Sequence, residues 1–145
     1  MNILIKKVRP GATLPEYQTE NSAGLDLAAC IDAPVVIQPH QRTLIPTGIA
    51  ISLPMHCEAQ IRGRSGLALN HGIVPANGVG TIDSDYRGEV GAILLNASDV
   101  PFTIEPGMRV AQMVIARYER IVWREADELD QTVRGSDGFS STGLV

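Results

Sequence analysis

The sequence predicts an all-β fold, a sandwich, jelly roll or barrel of short strands, and three observations carry that expectation. Apolar residues alternate with a period of two through most of the chain, as they do in half-buried strands. Fourteen glycines and nine prolines punctuate those runs and supply the turns. Only one stretch has the spacing and end signals of a helix.

The elements follow in order. Met1 to Val8 reads as a first strand, stopped by Pro10-Gly11. Val35-Val36-Ile37 runs to Pro39, and Arg42 to Leu53 holds two strand runs split by Pro46-Thr47-Gly48. Cys57 to Ile61 alternates again, and Glu89 to Leu95, Val110 to Tyr118 and Glu119 to Trp123 complete the set. The helix is Ser65 to Gly72, with Ser65 placed to cap its start and Gly72 to end it, two turns at most. Arg124 to Leu129 has a short helical period but four acids, and reads as a strand end or loop. The tail from Arg134 to Gly143 is polar and Gly-rich with one aromatic, Phe139, and cannot bury itself.

Bulk properties narrow the class. A chain of 145 residues with 44% hydrophobic content fits one packed domain, and 4% aromatics make its core aliphatic. A formal charge of -4 argues against nucleic-acid binding through a basic surface. The two cysteines, Cys30 and Cys57, form no disulfide framework and read as buried thiols of a reducing compartment. The first residues lack the pattern of a secretory signal, and no run approaches a membrane span, so a cytoplasmic location is expected.

Several constellations could carry chemistry. Arg62-Gly63-Arg64-Ser65-Gly66-Leu67 puts an arginine and a serine at the start of the helix, where free N–H groups favour an anion; a helix cap with a solvated arginine is the plainer reading. Gly138 to Gly143 matches the first half of a phosphate loop, but no Lys-Ser/Thr follows. A polar flap bringing Arg134, Ser141, Thr142 and backbone N–H groups to a polyphosphate stays open. Asp83-Ser84-Asp85 resembles the start of a calcium loop, yet Arg87 falls on a ligand position and Leu94 where a bidentate Glu is needed. The alternative is a hairpin turn in which a carboxylate between Ile82 and Tyr86, partly desolvated, serves as a general base. His40, His56 and His71 are scattered, so any metal would be Mg²⁺ held mainly by phosphate and water, with Asp26 as one candidate carboxylate.

In order, these pieces resemble the dUTPases, the trimeric deoxyuridine triphosphate nucleotidohydrolases. Five motifs match: Ala23-Gly24-Leu25-Asp26-Leu27; Gly63 to Ala68; Asn77 to Gly88; Gly107-Met108-Arg109-Val110-Ala111-Gln112-Met113; and Arg134 to Gly143. They run from residue 23 to residue 143, and five in order at similar spacing are specific where any one is weak. Asp137 and Ser140 stand where the family usually has glycine.

The resemblance implies a jelly-roll-like homotrimer with one catalytic domain over residues 1–130 and a C-terminal arm over 131–145 that closes a neighbouring subunit's site. It implies hydrolysis of dUTP to dUMP and pyrophosphate with Mg²⁺, which lowers dUTP and supplies dUMP for thymidylate synthesis. Asp83 matches the general base, and Arg64, Ser65, Gly66 and Gln112 match the phosphate contacts. Asp26 matches the acid that meets the Mg²⁺ shell through water. Asn77, Gly80, Thr81 and Ile82 match the hairpin that reads uracil. Tyr86 matches the ring that excludes a 2′-hydroxyl, and Phe139 the one that stacks on the base. Arg134, Ser140, Ser141 and Thr142 fall where the arm clamps phosphates. Asp85 keeps no role beyond the turn, paired with an arginine at most. The rival readings are a dCTP deaminase-like enzyme and a non-catalytic, nucleotide-sensing trimer of the same fold; neither nucleic acid nor membrane is an expected partner.

Overall fold

A computed structural model of the chain describes residues 1–136 and residue 138. Twelve strands and one short helix make up its regular structure: β1 (Leu4–Lys7), β2 (Glu16–Tyr17), β3 (Leu25–Ala28), β4 (Val35–Ile37), β5 (Arg42–Pro46), β6 (Ile49–Ser52), β7 (Cys57–Arg62), α1 (Ser65–His71), β8 (Ile73–Pro75), β9 (Gly80–Ile82), β10 (Gly91–Asn96), β11 (Phe102–Ile104) and β12 (Arg109–Arg117). The strands form four small sheets, ordered β1-β6, β5-β10-β8, β11-β4 and β2-β3-β12-β7-β9, and every pairing is antiparallel.

Alternation of residue type predicts the faces of β7, whereas in β10 burial alternates along an apolar run. In β7, Cys57, Ala59 and Ile61 are buried while Glu58, Gln60 and Arg62 are not. In β10, Ala92, Leu94 and Asn96 point inward. The core is aliphatic, as the composition requires: Leu27, Ile37, Ile45, Ile49, Ile73, Leu94 and Ile104 are each almost wholly enclosed. Its buried amide, Asn96, is satisfied. Nδ2 donates to the carbonyls of Ile37 and Val100, at 3.0 and 2.7 Å, and Oδ1 accepts from Ser98.

Three features differ from expectation. The run Glu119 to Trp123 forms no strand; the chain leaves the sheet after Arg117, and Val122 and Trp123 stand 94% and 87% exposed. Alternating side chains make a strand only where a neighbouring strand offers its backbone, and none among the described residues does. Ser65 is the first helical residue rather than the cap. Arg64, in extended backbone, is the cap, and no side chain closes it. Gly72 does end the helix, in the left-handed conformation a Cβ would strain, with its N–H donating to Ala68 O at 3.1 Å. Finally, the segments around residues 77 and 83 are turns but not strand-to-strand hairpins. β8 pairs with β10 and β9 with β7, so the chain crosses between sheets.

Candidate active site

The sequence-predicted residues up to Gln112 gather in two clefts that share no lining residue. Strand β7 divides them. Ile61 faces one cleft and Arg62 the other, because successive side chains of a strand point to opposite faces.

The first cleft encloses about 620 Å³ and is walled by Asn77, by consecutive residues Gly80, Thr81 and Ile82 of β9, and by Asp83 and Tyr86. β9 is short because only Gly80 to Ile82 find partners on β7, with Gly80 opposite Ile61 and Ile82 opposite Ala59. Beyond Ile82 the chain turns, and Tyr86 N–H donates to Asp83 O at 3.1 Å. The expected desolvation of Asp83 is absent in the single chain, where its side chain is exposed. Nor does Asp85 pair with an arginine: Arg87 Nη1 donates instead to the carbonyls of Ser84 and Tyr86, at 2.7 and 2.8 Å.

The second cleft, about 650 Å³, is lined by Gly24, Asp26, Arg64, Ser65, Gly66 and Gln112, together with Gln18, Arg62 and Arg109. Its floor is a rung across four strands. Glu16 lies opposite Asp26, Asp26 opposite Gln112, and Gln112 opposite Arg62. The Asp26 carboxylate is 14% exposed and accepts from Arg64 Nε at 3.1 Å and Arg109 Nη1 at 2.9 Å. Arg64 Nη1 also donates to Arg109 O, and Arg109 Nη1 to Gln18 Oε1, both at 3.0 Å. Gln112 Nε2 donates to Gly63 O at 2.8 Å. Its side chain fits because residue 24 is glycine; a Cβ there would collide with Gln112 Oε1.

Arg109 lines the second cleft although its motif alone assigns it no role. It stands in the fourth motif, but Arg109 and Gln112 are three apart and would lie on opposite faces of a regular strand. The register of β12 against β3 shifts between Arg109 and Ala111, and Val110 and Ala111 are both buried. That β-bulge adds one residue, reverses the parity and brings Arg109 and Gln112 into one cleft.

Arg134 is exposed on the chain beyond β12, away from both clefts' linings. Phe139, Ser140, Ser141 and Thr142, with Asp137, lie outside the described residues. Among the described residues no group of three or more His, Cys, Asp or Glu side chains could cage a metal, and no helix is long and apolar enough to cross a membrane.

Comparison with known proteins shows the family and the fold. A family model described as dUTPase matches residues 11–143. A deoxyuridine 5'-triphosphate nucleotidohydrolase of Rickettsia felis is 57% identical over 143 residues, covering 98% of this chain and 97% of the relative. That of Rickettsia canadensis is 59% identical over 132 residues, 91% of this chain and 89% of the relative. Among solved structures, the dUTPase of Staphylococcus bacteriophage 80alpha with dUPNHPP superposes with a TM-score of 0.90 at 24% identity, covering 99% of both chains. A dUTPase from phage phi11 of S. aureus gives 0.81 at 21% identity, covering 91% of this chain and all of that one. The likeness in shape carries the fold, and the family model and the relatives carry the rest: the chain belongs to the dUTPase family.

Proposed function

We propose that this chain hydrolyses dUTP to dUMP and pyrophosphate by attack of water on the α-phosphorus. The observation that carries the reading is the division of labour between two clefts. One presents the backbone of Gly80 to Ile82 beside a free carboxylate, and the other is lined by three arginines. A strand backbone can hydrogen-bond a base edge, and a closed backbone slot rejects a methyl group by contact. Asn77, Gly80, Thr81 and Ile82 hold uracil in this scheme, and Tyr86 lies against the deoxyribose.

Asp83 takes the proton of the attacking water. In-line displacement at phosphorus depends on alignment and charge neutralisation more than on covalent chemistry by the protein. Arg64, Ser65, Gly66 and Gln112 supply those contacts from the second cleft. Arg134, Phe139 and Ser140 to Thr142 belong to an arm, residues 131–145, that closes the site over the domain of residues 1–130.

The residues fit Mg²⁺ in one way only. Asp26 is a single carboxylate with both oxygens already bonded to guanidinium groups, so it can meet the ion through water and cannot form part of a protein cage. Bound with the substrate, the ion neutralises charge on the phosphate oxygens. A related phage phi11 dUTPase mutant coordinates a structural Mg(II) ion.

Assembly of the site needs more than one copy. The two clefts lie apart in one chain, and Ile121, Val122, Trp123 and Leu129 expose apolar surface that a second copy would cover. A homotrimer in which one copy's Asp83 faces another's Arg64, with a third arm closing over both, satisfies these demands.

The test is pyrophosphate release from dUTP, dTTP, dCTP and UTP, with and without Mg²⁺, alongside light scattering for the assembly. Selective Mg²⁺-dependent release from dUTP is expected. Ammonia from dCTP, or no turnover of dUTP, would overturn the reading.

A further inference from the structure

One ion pair at the first cleft has no part in the scheme above. Arg9 Nε donates to both carboxylate oxygens of Glu89, at 2.7 and 2.9 Å, and Gly48 N–H donates to Oε1 at 2.8 Å. These contacts, the bond from Arg9 foremost, hold the Glu89 carboxyl below the usual carboxylate range and raise the Arg9 guanidinium further above its own. The surrounding backbone brings the partners together. Val8 N–H donates to Gly48 O at 2.8 Å, which sets Arg9 beside the turn between β5 and β6. Val90 N–H donates to Ile49 O at 2.8 Å, and Thr47 Oγ1 to Val90 O at 2.5 Å, which ties the following residue to the same turn.

Arg9 and Glu89 both line the cleft that holds Asp83 and Tyr86. Their link to Tyr86 is direct. The Tyr86 hydroxyl donates to Glu89 O at 3.1 Å, and it lies so close over Gly88 that a Cβ there would collide with it. Tyr86 is otherwise 44% exposed, on a turn that no strand partner holds. The place of its ring is therefore tied to the Glu89 backbone, which the bonds at Val90 hold on one side and the grip of Arg9 and Gly48 on the Glu89 carboxylate holds on the other.

We propose that Arg9 and Glu89 are positioning residues for sugar selectivity, locking the Tyr86–Glu89 segment so that the tyrosine ring forms an unyielding wall beside the 2′ carbon. This rests on the reading of Tyr86 given above. A wall discriminates against an added hydroxyl only if it cannot retreat, and an exposed loop retreats unless something braces it.

The test compares kcat/KM for dUTP with that for UTP in the full chain and in Glu89→Gln, Arg9→Gln and Arg9→Lys. The ratio of the two substrates does not depend on how much of a preparation is folded, since a lost fraction lowers both alike. Glu89→Gln and Arg9→Gln are expected to narrow the dUTP preference by roughly tenfold. Arg9→Lys, which keeps the charge but not the two-oxygen grip, is expected to narrow it less and to stay measurable if the other two do not fold. Wild-type ratios in the variants that fold would overturn the proposal. A wild-type chain that turns over no dUTP would instead overturn the function on which it rests.

Discussion

Arg64 Nε donates to Asp26 Oδ1 at 3.1 Å, so the guanidinium at the start of α1 is oriented by the acid of β3. Asp26 also accepts from Arg109, which leaves a three-residue network with one negative and two positive charges. Replacing Asp26 by Asn removes the charge at constant volume. The expected cost is about 1–3 kcal/mol of stability, from weakened bonds to charged partners. Denaturant unfolding measures that cost, and a Mg²⁺ titration of dUTP turnover should shift to higher concentration in the same variant.

Gly24→Ala tests the close approach of β3 to Gln112. The added Cβ meets the Gln112 side-chain oxygen, and the glutamine must abandon its bond to Gly63 O or push the strands apart. Overpacking of this kind costs about 1–3 kcal/mol. Turnover of dUTP should fall together with the melting temperature; an unchanged rate would remove Gln112 from the phosphate site.

Asp83→Asn should fold and bind dUTP normally, because its side chain is exposed and makes no bond that the fold requires. Turnover should fall by about 10²–10⁴, the usual contribution of a positioned base. Near-normal pyrophosphate release would reassign the base.

Glu89 makes stability depend on pH with a definite sign. Its folded-state pKa lies below its ordinary value of 4.5, chiefly through the bond from Arg9. The folded form therefore releases the proton more readily than the unfolded one. The stabilisation is present above pH 4.5 and is lost as pH falls through the lower, folded value. The stability difference between the wild type and Glu89→Gln should be constant near neutrality and shrink below that point, as followed by urea unfolding at stepped pH.

Much of this molecule is written locally. β7 announces itself by alternation over six residues, and β10 by an unbroken apolar run from Ala92 to Leu95. The sequence does not mark the strands Glu16–Tyr17, Leu25–Ala28, Ile73–Pro75, Gly80–Ile82 and Phe102–Ile104: two to four residues barely display a period, and none has three β-branched residues in a row as Val35–Ile37 does. Glu119 to Trp123 shows the converse: a fitting pattern with no partner strand among the described residues.

By itself the sequence determined the all-β class, the aliphatic core, the end of the helix at Gly72 and the motifs that hold Asp26, Arg64, Asp83 and Gln112. These depend on side-chain type and short spacing, which each segment carries alone. The tertiary structure alone decided that Asp83 and Arg64 lie in separate clefts, that Arg9 grips Glu89 from 80 residues away, and that a bulge turns Arg109 toward Gln112. Each of these is a matter of which strand meets which and in what register. Such pairings are set by the packing of the whole core, and a one-residue shift reverses the face every later side chain presents.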